Sequence, residues 1–186
     1  MIGKLLRPIR SGPAGLAGND PRIATSVTLE VSSPDFASGT PMPQAYRGLR
    51  GISPPLVWTN VPPAASELVL IVEDVDVPFP APLVHAIVYG IDPARGEIGA
   101  GEIPPLRPGG PTRSGGASLG KGAGLAPGWV PVTPIPGHGP HRYVFQLFAL
   151  DDMLPPFAKP PGKREILDAM AGHVVARGAT SGLAEA

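Results

Sequence analysis

Proline and glycine punctuate this chain at short intervals, and they cluster between its apolar runs rather than inside them. They number 27 and 25 among 186 residues. Proline lacks the amide hydrogen that a helix interior needs, and it pushes the residue before it towards extended backbone. Apolar runs survive between the breaks, notably Leu68 to Val72, Val84 to Ile91 and His141 to Leu150. A chain this rich in Pro and Gly that was disordered would lack them. The pattern predicts a mainly β protein of short strands joined by proline-stiffened turns.

The runs differ in which faces they bury. Leu68-Val69-Leu70-Ile71-Val72 is apolar on both sides, as a central strand between two layers should be. Ile23 to Val31 alternates, with Ile23, Val27, Leu29 and Val31 on one face, and predicts a half-buried strand. In Val84 to Ile91, period two groups His85, Ile87, Tyr89 and Ile91. In His141 to Leu150 it groups His141, Tyr143, Phe145 and Leu147 against Arg142, Val144, Gln146 and Phe148. Lys163 to about Arg177 reads as the one helix, with Leu167, Met170 and Val174 at i, i+3 and i+7 and Gly178 just beyond. Residues 1–22 form an N-terminal arm and residues 23–186 a single domain with one core. Ser32 to Gly51 reads as loop, and Asp92 to about Pro136 as a long excursion of the kind used for lids.

Composition excludes several functions. Lys plus Arg and Asp plus Glu both total 15, so no overall field would hold nucleic acid or an anionic membrane. The chain has no cysteine, which removes disulfides and thiolate zinc. Charge and proline interrupt Met1-Ile2-Gly3-Lys4-Leu5-Leu6-Arg7-Pro8 before a secretory h-region develops, and no segment has the length of a membrane span. Cytoplasmic location without stable membrane insertion is the expectation.

Chemistry concentrates in two strings. Asp74 and Asp76 follow the central strand two residues apart, so extended backbone aims both carboxylates to one side. Two neighbouring carboxylates share a dry site only with a proton or cation between them, and His85 and His141 are the available imidazoles. An imidazole oriented by a carboxylate can turn its other nitrogen to a phosphate oxygen, and Tyr143 adds a hydroxyl on the His141 face. The competing explanation is turn chemistry, with the aspartates capping backbone donors and each histidine a hydrogen-bonded core-edge residue. Two His and a carboxylate also match a metal-binding triad, without a recognised ligand spacing. His138, in a Gly-flanked loop, reads equally as a turn residue or a ligand. Ser53 and Thr133 are the nucleophiles on paper, and neither sits in a Gly-x-Ser-x-Gly elbow.

Ser33-Pro34-Asp35-Phe36, Ile52-Ser53-Pro54-Pro55-Leu56-Val57-Trp58, Asp74 to Pro78, His85, Gly139-Pro140-His141-Arg142-Tyr143 and Gly172-His173-Val174 occur in an order that resembles the phosphatidylethanolamine-binding protein family, in particular its bacterial Raf-kinase-inhibitor-like branch. The resemblance implies an antiparallel β-sandwich with few peripheral helices. It also implies a non-enzymatic anion pocket on Asp74, Asp76, Pro78, His85, Pro134, His141 and Tyr143, for a small phosphate-containing or carboxylate ligand or a phospholipid head group. No metal or organic cofactor is implied. A kinase or protease partner, engaged through the loop around Trp129, a weak hydrolase using His141 and Asp76, and a homodimer are the further readings. Val75 stands where the family has proline, and Ile135 lies in a stretch commonly proline-rich.

Overall fold

Ten strands form two sheets in a computed structural model that describes residues 2–123 and 125–186. The larger sheet is built on the predicted apolar runs: β4 (Glu67–Asp74) lies between β5 (Leu83–Ile91) and β9 (His141–Leu150), antiparallel to both. Every residue of β4 is buried. β10 (Val174–Ala184) pairs with the far side of β9, and β2 (Thr40–Pro41) adds a short parallel edge. On the other flank β5 takes the hairpin of β7 (Arg113–Ser114) and β8 (Ala117–Leu119). The smaller sheet comprises β1 (Glu30–Ser32), β3 (Leu56–Thr59) and β6 (Glu97–Ile98).

The alternation along β4 and β9 sorts the core into two layers. Leu68, Leu70, Val72, Tyr143, Phe145 and Leu147 face the smaller sheet, where they meet Leu29, Leu56, Trp58 and Ile98. Val69, Ile71, Phe148 and Leu150 face outward, where α2 (Lys163–Met170) covers them with Ile166, Leu167 and Met170. Each such side chain contributes about 1.5–3 kcal/mol by leaving water. The layers approach closely at Gly178 in β10, where a Cβ would come within 2.2 Å of the Leu29 carbonyl oxygen.

Three sequence expectations change here. The C-terminal helix ends at Met170 rather than near Arg177, because Gly172 turns the chain at φ 84° and β-branched Val174 and Val175 begin β10. Pairing with all of β9 outweighs the weak helical period. Ile23 to Val31 is not one strand: Pro21–Ile23 is a 3₁₀ turn, Thr28 makes an isolated bridge to Arg177, and β1 starts at Glu30. The third change concerns β5. Val72 pairs with Ala86 and Glu73 with Val84, so His85 is the extra residue of a β-bulge. A second irregularity opposite Val69 passes through Gly90 at φ 70°. Ile87 and Tyr89 therefore face α2 and its neighbours, while Ile91 belongs to the inner layer. The predicted common face is broken at both ends, as bulges do.

The N-terminal arm is ordered by the domain it lies on. It carries α1 (Ile2–Leu6), and its Ser11 and Gly12 amides donate to the Val77 and Val75 carbonyls. Among the described residues no helix is long and apolar enough to cross a membrane.

Candidate functional site

The end of β4 and the start of β9 place two predicted residues face to face, since Asp74 pairs with Tyr143 in register. Both point to the inner layer, and next to them on β9 His141 does the same. The His141 Nδ1–H donates to Asp74 Oδ2 at 2.7 Å, with both side chains almost fully buried. The other Asp74 oxygen accepts the Asp76 amide at 2.8 Å, so one carboxylate caps the turn and orients an imidazole. The backbone capping that the sequence offered as the competing explanation is present, and it coexists with the contact to an imidazole.

His141 Nε2 lies 2.7 Å from Nδ1 of His138, whose Nε2–H donates to the Leu6 and Ile9 carbonyls at 2.8 and 3.2 Å. Carbonyls only accept, so the outer His138 proton is fixed, and each remaining contact in the line needs one proton of its own. Asp74, His141 and His138 together then carry no net charge. His138 is fully buried and belongs to this line, not to a solvent-facing turn. A second imidazole three residues before His141 was the available signal.

Asp76 does not join the imidazoles. Its Oδ2 accepts the Arg142 amide at 2.7 Å and its Oδ1 meets the Arg10 guanidinium at 2.7 Å. Arg10 also donates to the Pro140 and His138 carbonyls. The Arg142 backbone rather than its side chain serves the aspartate pair. Arg10 had no sequence signal, since 66 residues separate it from Asp76.

His85 approaches from β5, re-aimed by its bulge. The 92–136 excursion returns to it: the His85 Nδ1–H donates to the Val130 carbonyl at 2.8 Å, and the Val130 amide donates to the His85 carbonyl at 2.9 Å. This fixes the neutral tautomer with its lone pair on Nε2, a buried atom that has no hydrogen-bond partner among the described residues. Burial pushes the His85 pKa down from the ordinary imidazole range, against the pull of the Val130 carbonyl and the Asp74 charge. Its ring stands edge-on to Tyr143 at 5.0 Å and tilted to Trp129 at 6.1 Å. Trp129 Nε1 is likewise buried and unpartnered, and its ring stacks on Phe145. The Tyr143 phenol is driven upward, by burial first and then by the Asp74 charge.

Pro134 is buried in the turn that leads to His138, and Pro78 is half-buried beyond Asp76. The Ser53 hydroxyl is sealed against the Ile103 backbone, far from any imidazole contact, and Thr133 is exposed. No three His, Asp or Glu side chains among the described residues are arranged to hold a metal ion.

The arm crosses the rim of this site. Besides accepting from His138, it donates from Arg7 Nε to the Gly137 carbonyl. Gly3 sits so close that a Cβ would come within 2.1 Å of the Pro136 carbonyl oxygen. Asp74, His85, His141 and Tyr143 are each at most 2% exposed.

Residues 32–185 match the phosphatidylethanolamine-binding protein family. A UPF0098 protein of Mycobacterium tuberculosis is 35% identical over 175 residues, which cover 93% of this chain and 76% of that one. Among solved structures, a phosphatidylethanolamine-binding protein homologue from Chlamydia trachomatis superposes with a TM-score of 0.73 at 33% identity, over 87% of this chain and 99% of that one. Escherichia coli YbcL superposes with a TM-score of 0.71 at 22% identity, over 86% and 99%, and shares the fold.

Proposed function

The chain belongs to the phosphatidylethanolamine-binding protein family, and from that premise we propose that it binds a small phosphate-like group, free or on a phospholipid head group, between His85 and His141 without turning it over. The observation that carries this is the His85 ring, held by Val130 with its Nε2 buried, unpartnered and beside Tyr143. A phosphate monoester satisfies that atom in either of two ways. Its P–OH donates to the lone pair, or the ring takes a proton and donates to a phosphate oxygen. Both add one proton to the complex, so affinity rises as pH falls towards the phosphate and imidazole range. His141, braced by Asp74, supplies the second wall, and the Tyr143 hydroxyl stays protonated as a donor.

The arm sets the condition for entry. Its carbonyls hold His138 and its Arg10 holds Asp76, so a ligand reaches the imidazoles when residues 2–12 move aside. Among the described residues the two His141 nitrogens contact only Asp74 and His138 and no Ser or Thr hydroxyl, which supports binding over hydrolysis. An inhibitory role towards a kinase or protease through the loop around Trp129 would use that loop's exposed residues, since Trp129 itself is 1% exposed.

The test is calorimetric titration with inorganic phosphate and O-phosphoethanolamine at about pH 6 and about pH 8. Wild type binds more tightly at the lower pH, and His85→Ala and His141→Ala each lose at least about tenfold in affinity. Equal binding by all three proteins, or none by wild type, rejects the proposal. Turnover of a phosphoester panel that disappears in His141→Ala would make the protein an enzyme instead.

A further inference from the structure

β4 has a carboxylate at each end. Asp74 closes one end. Glu67 opens the other, roughly 23 Å away at a strand's rise per residue, and lies in a different environment. It is 3% exposed and belongs to no ion pair among the described residues; the Gly90 and Leu154 backbone serves its carboxylate, but its Oε1 is fully buried with no hydrogen-bond partner among the described residues. A carboxylate left this way is costly unless something arrives to pair with it.

Glu67 lines a cleft of about 690 Å³, between the β5 and β8 edge and the proline-rich run 154–160. That volume is in the range that takes a small organic ligand. The lining is mixed: Thr112 and Ser118 are polar, while Tyr89 and Phe157, edge to face at 5.5 Å, form an aromatic wall with the rings of Pro155 and Pro156 beside them. Arg113 and Lys159 also line the cleft, both exposed to solvent.

We propose that this cleft is a second binding site, for a small amphipathic amine whose ammonium group pairs with Glu67 and whose apolar body packs on Tyr89 and Phe157. The ammonium brings the charge that the buried carboxylate lacks and an N–H donor for its unpartnered Oε1, and aromatic faces favour a cation nearby. Burial raises the Glu67 pKa, with the Asp152 charge adding to it, so amine binding also holds the carboxylate ionised. Arg113 and Lys159 select against a second cation at the mouth, which limits the ligand to a monoamine. The site is separate from the imidazoles, so it stands or falls independently of phosphate binding.

The experiment is an amide NMR titration of the full chain with phenethylamine, up to about 10 mM, and with phenylacetate as the acid of the same shape. Saturable shifts are expected at the amides of residues 89, 118, 154, 157 and 158 with the amine and none with the acid. Glu67→Gln, a near-isosteric change whose spectrum reports whether the fold is kept, weakens the amine at least about tenfold. Phe157→Ala, in the half-buried wall, weakens it too, while His85→Ala leaves it unchanged. The proposal is overturned by equal amine binding in Glu67→Gln, by phenylacetate binding as well as the amine, or by no saturable shift in wild type.

Discussion

Glu73 and Asp74 are neighbours on β4, carry the same charge and are both buried, yet they face opposite layers and have opposite surroundings. Glu73 is fully enclosed and fully satisfied: Lys163 Nζ lies 2.5 Å from one oxygen, and Gln146 Nε2 and the Ala17 amide donate to the other at 2.8 Å. Four segments distant in sequence meet on that one carboxylate. Asp74 touches an imidazole, which is linked to a second one and from there to the arm, while the imidazole of His85 nearby keeps a free acceptor. The first arrangement has no unmet valence and ties the molecule together. The second leaves a buried lone pair without a donor, and such a group is retained at a cost in stability.

Removing the cation from the satisfied face gives the largest expected effect. Lys163→Met leaves Glu73 buried with two of its three partners and no cation, and because the lysine is partly exposed the loss is about 2–4 kcal/mol, read as a lower urea midpoint. Phosphate affinity of the folded protein stays unchanged. A double variant that also carries Glu73→Gln recovers most of the stability; failure to recover would show that Lys163 acts by packing rather than by pairing.

On the other face the balance reverses. Asp74→Ala removes the acceptor of His141 and the cap of the Asp76 amide, costing about 1–3 kcal/mol in the same urea experiment. It also lets the His141 ring reorient, so phosphate binding weakens where Lys163→Met leaves it intact. Equal loss of ligand affinity in the two variants would erase the distinction between the faces.

His85 gives the contrast a pH dependence. Its pKa is lowered on folding, so the unfolded chain takes up the proton more readily, and the contribution to stability is whole above the unfolded value of about 6.5 and is lost as pH falls below it. Denaturation midpoints between about pH 7 and about pH 5 should fall less steeply in His85→Gln than in wild type, by at most about 1.4 kcal/mol per pH unit for one proton. The smallest effect belongs to the arm. Arg10→Ala breaks a partly exposed ion pair worth about 1 kcal/mol or less, and its clearer signature is faster hydrogen exchange at Ser11 and Gly12.

What the sequence made legible follows the same division. β4, β5 and β9 were readable because continuous apolar runs bounded by turn residues leave a strand few alternatives, and the inward group of His141, Tyr143, Phe145 and Leu147 followed from period two. The C-terminal helix was overextended because Val174 fits either period, and only its pairing with β9 decides. The common face assigned to His85 and Ile87 failed at a bulge, which nothing local in Val84 to Ile91 announces. Asp74, His141 and Tyr143 were placed together by strand end and strand start. Arg10, Val130 and Lys163 could not be, because their partners lie 45 to 90 residues away and no periodicity records a contact of that kind.

If the free nitrogen of His85 is the ligand's point of attachment, side-chain nitrogen NMR of the four histidines reads that atom directly. Without phosphate, His85 Nε2 should give the signal of an unprotonated acceptor while Nδ1 stays protonated. Saturating phosphate should move Nε2 to a hydrogen-bonded or protonated position, with a smaller displacement at His141. A His85 signal that stays fixed while phosphate binds elsewhere on the protein, or while none binds at all, would show that His85 is not the point of attachment.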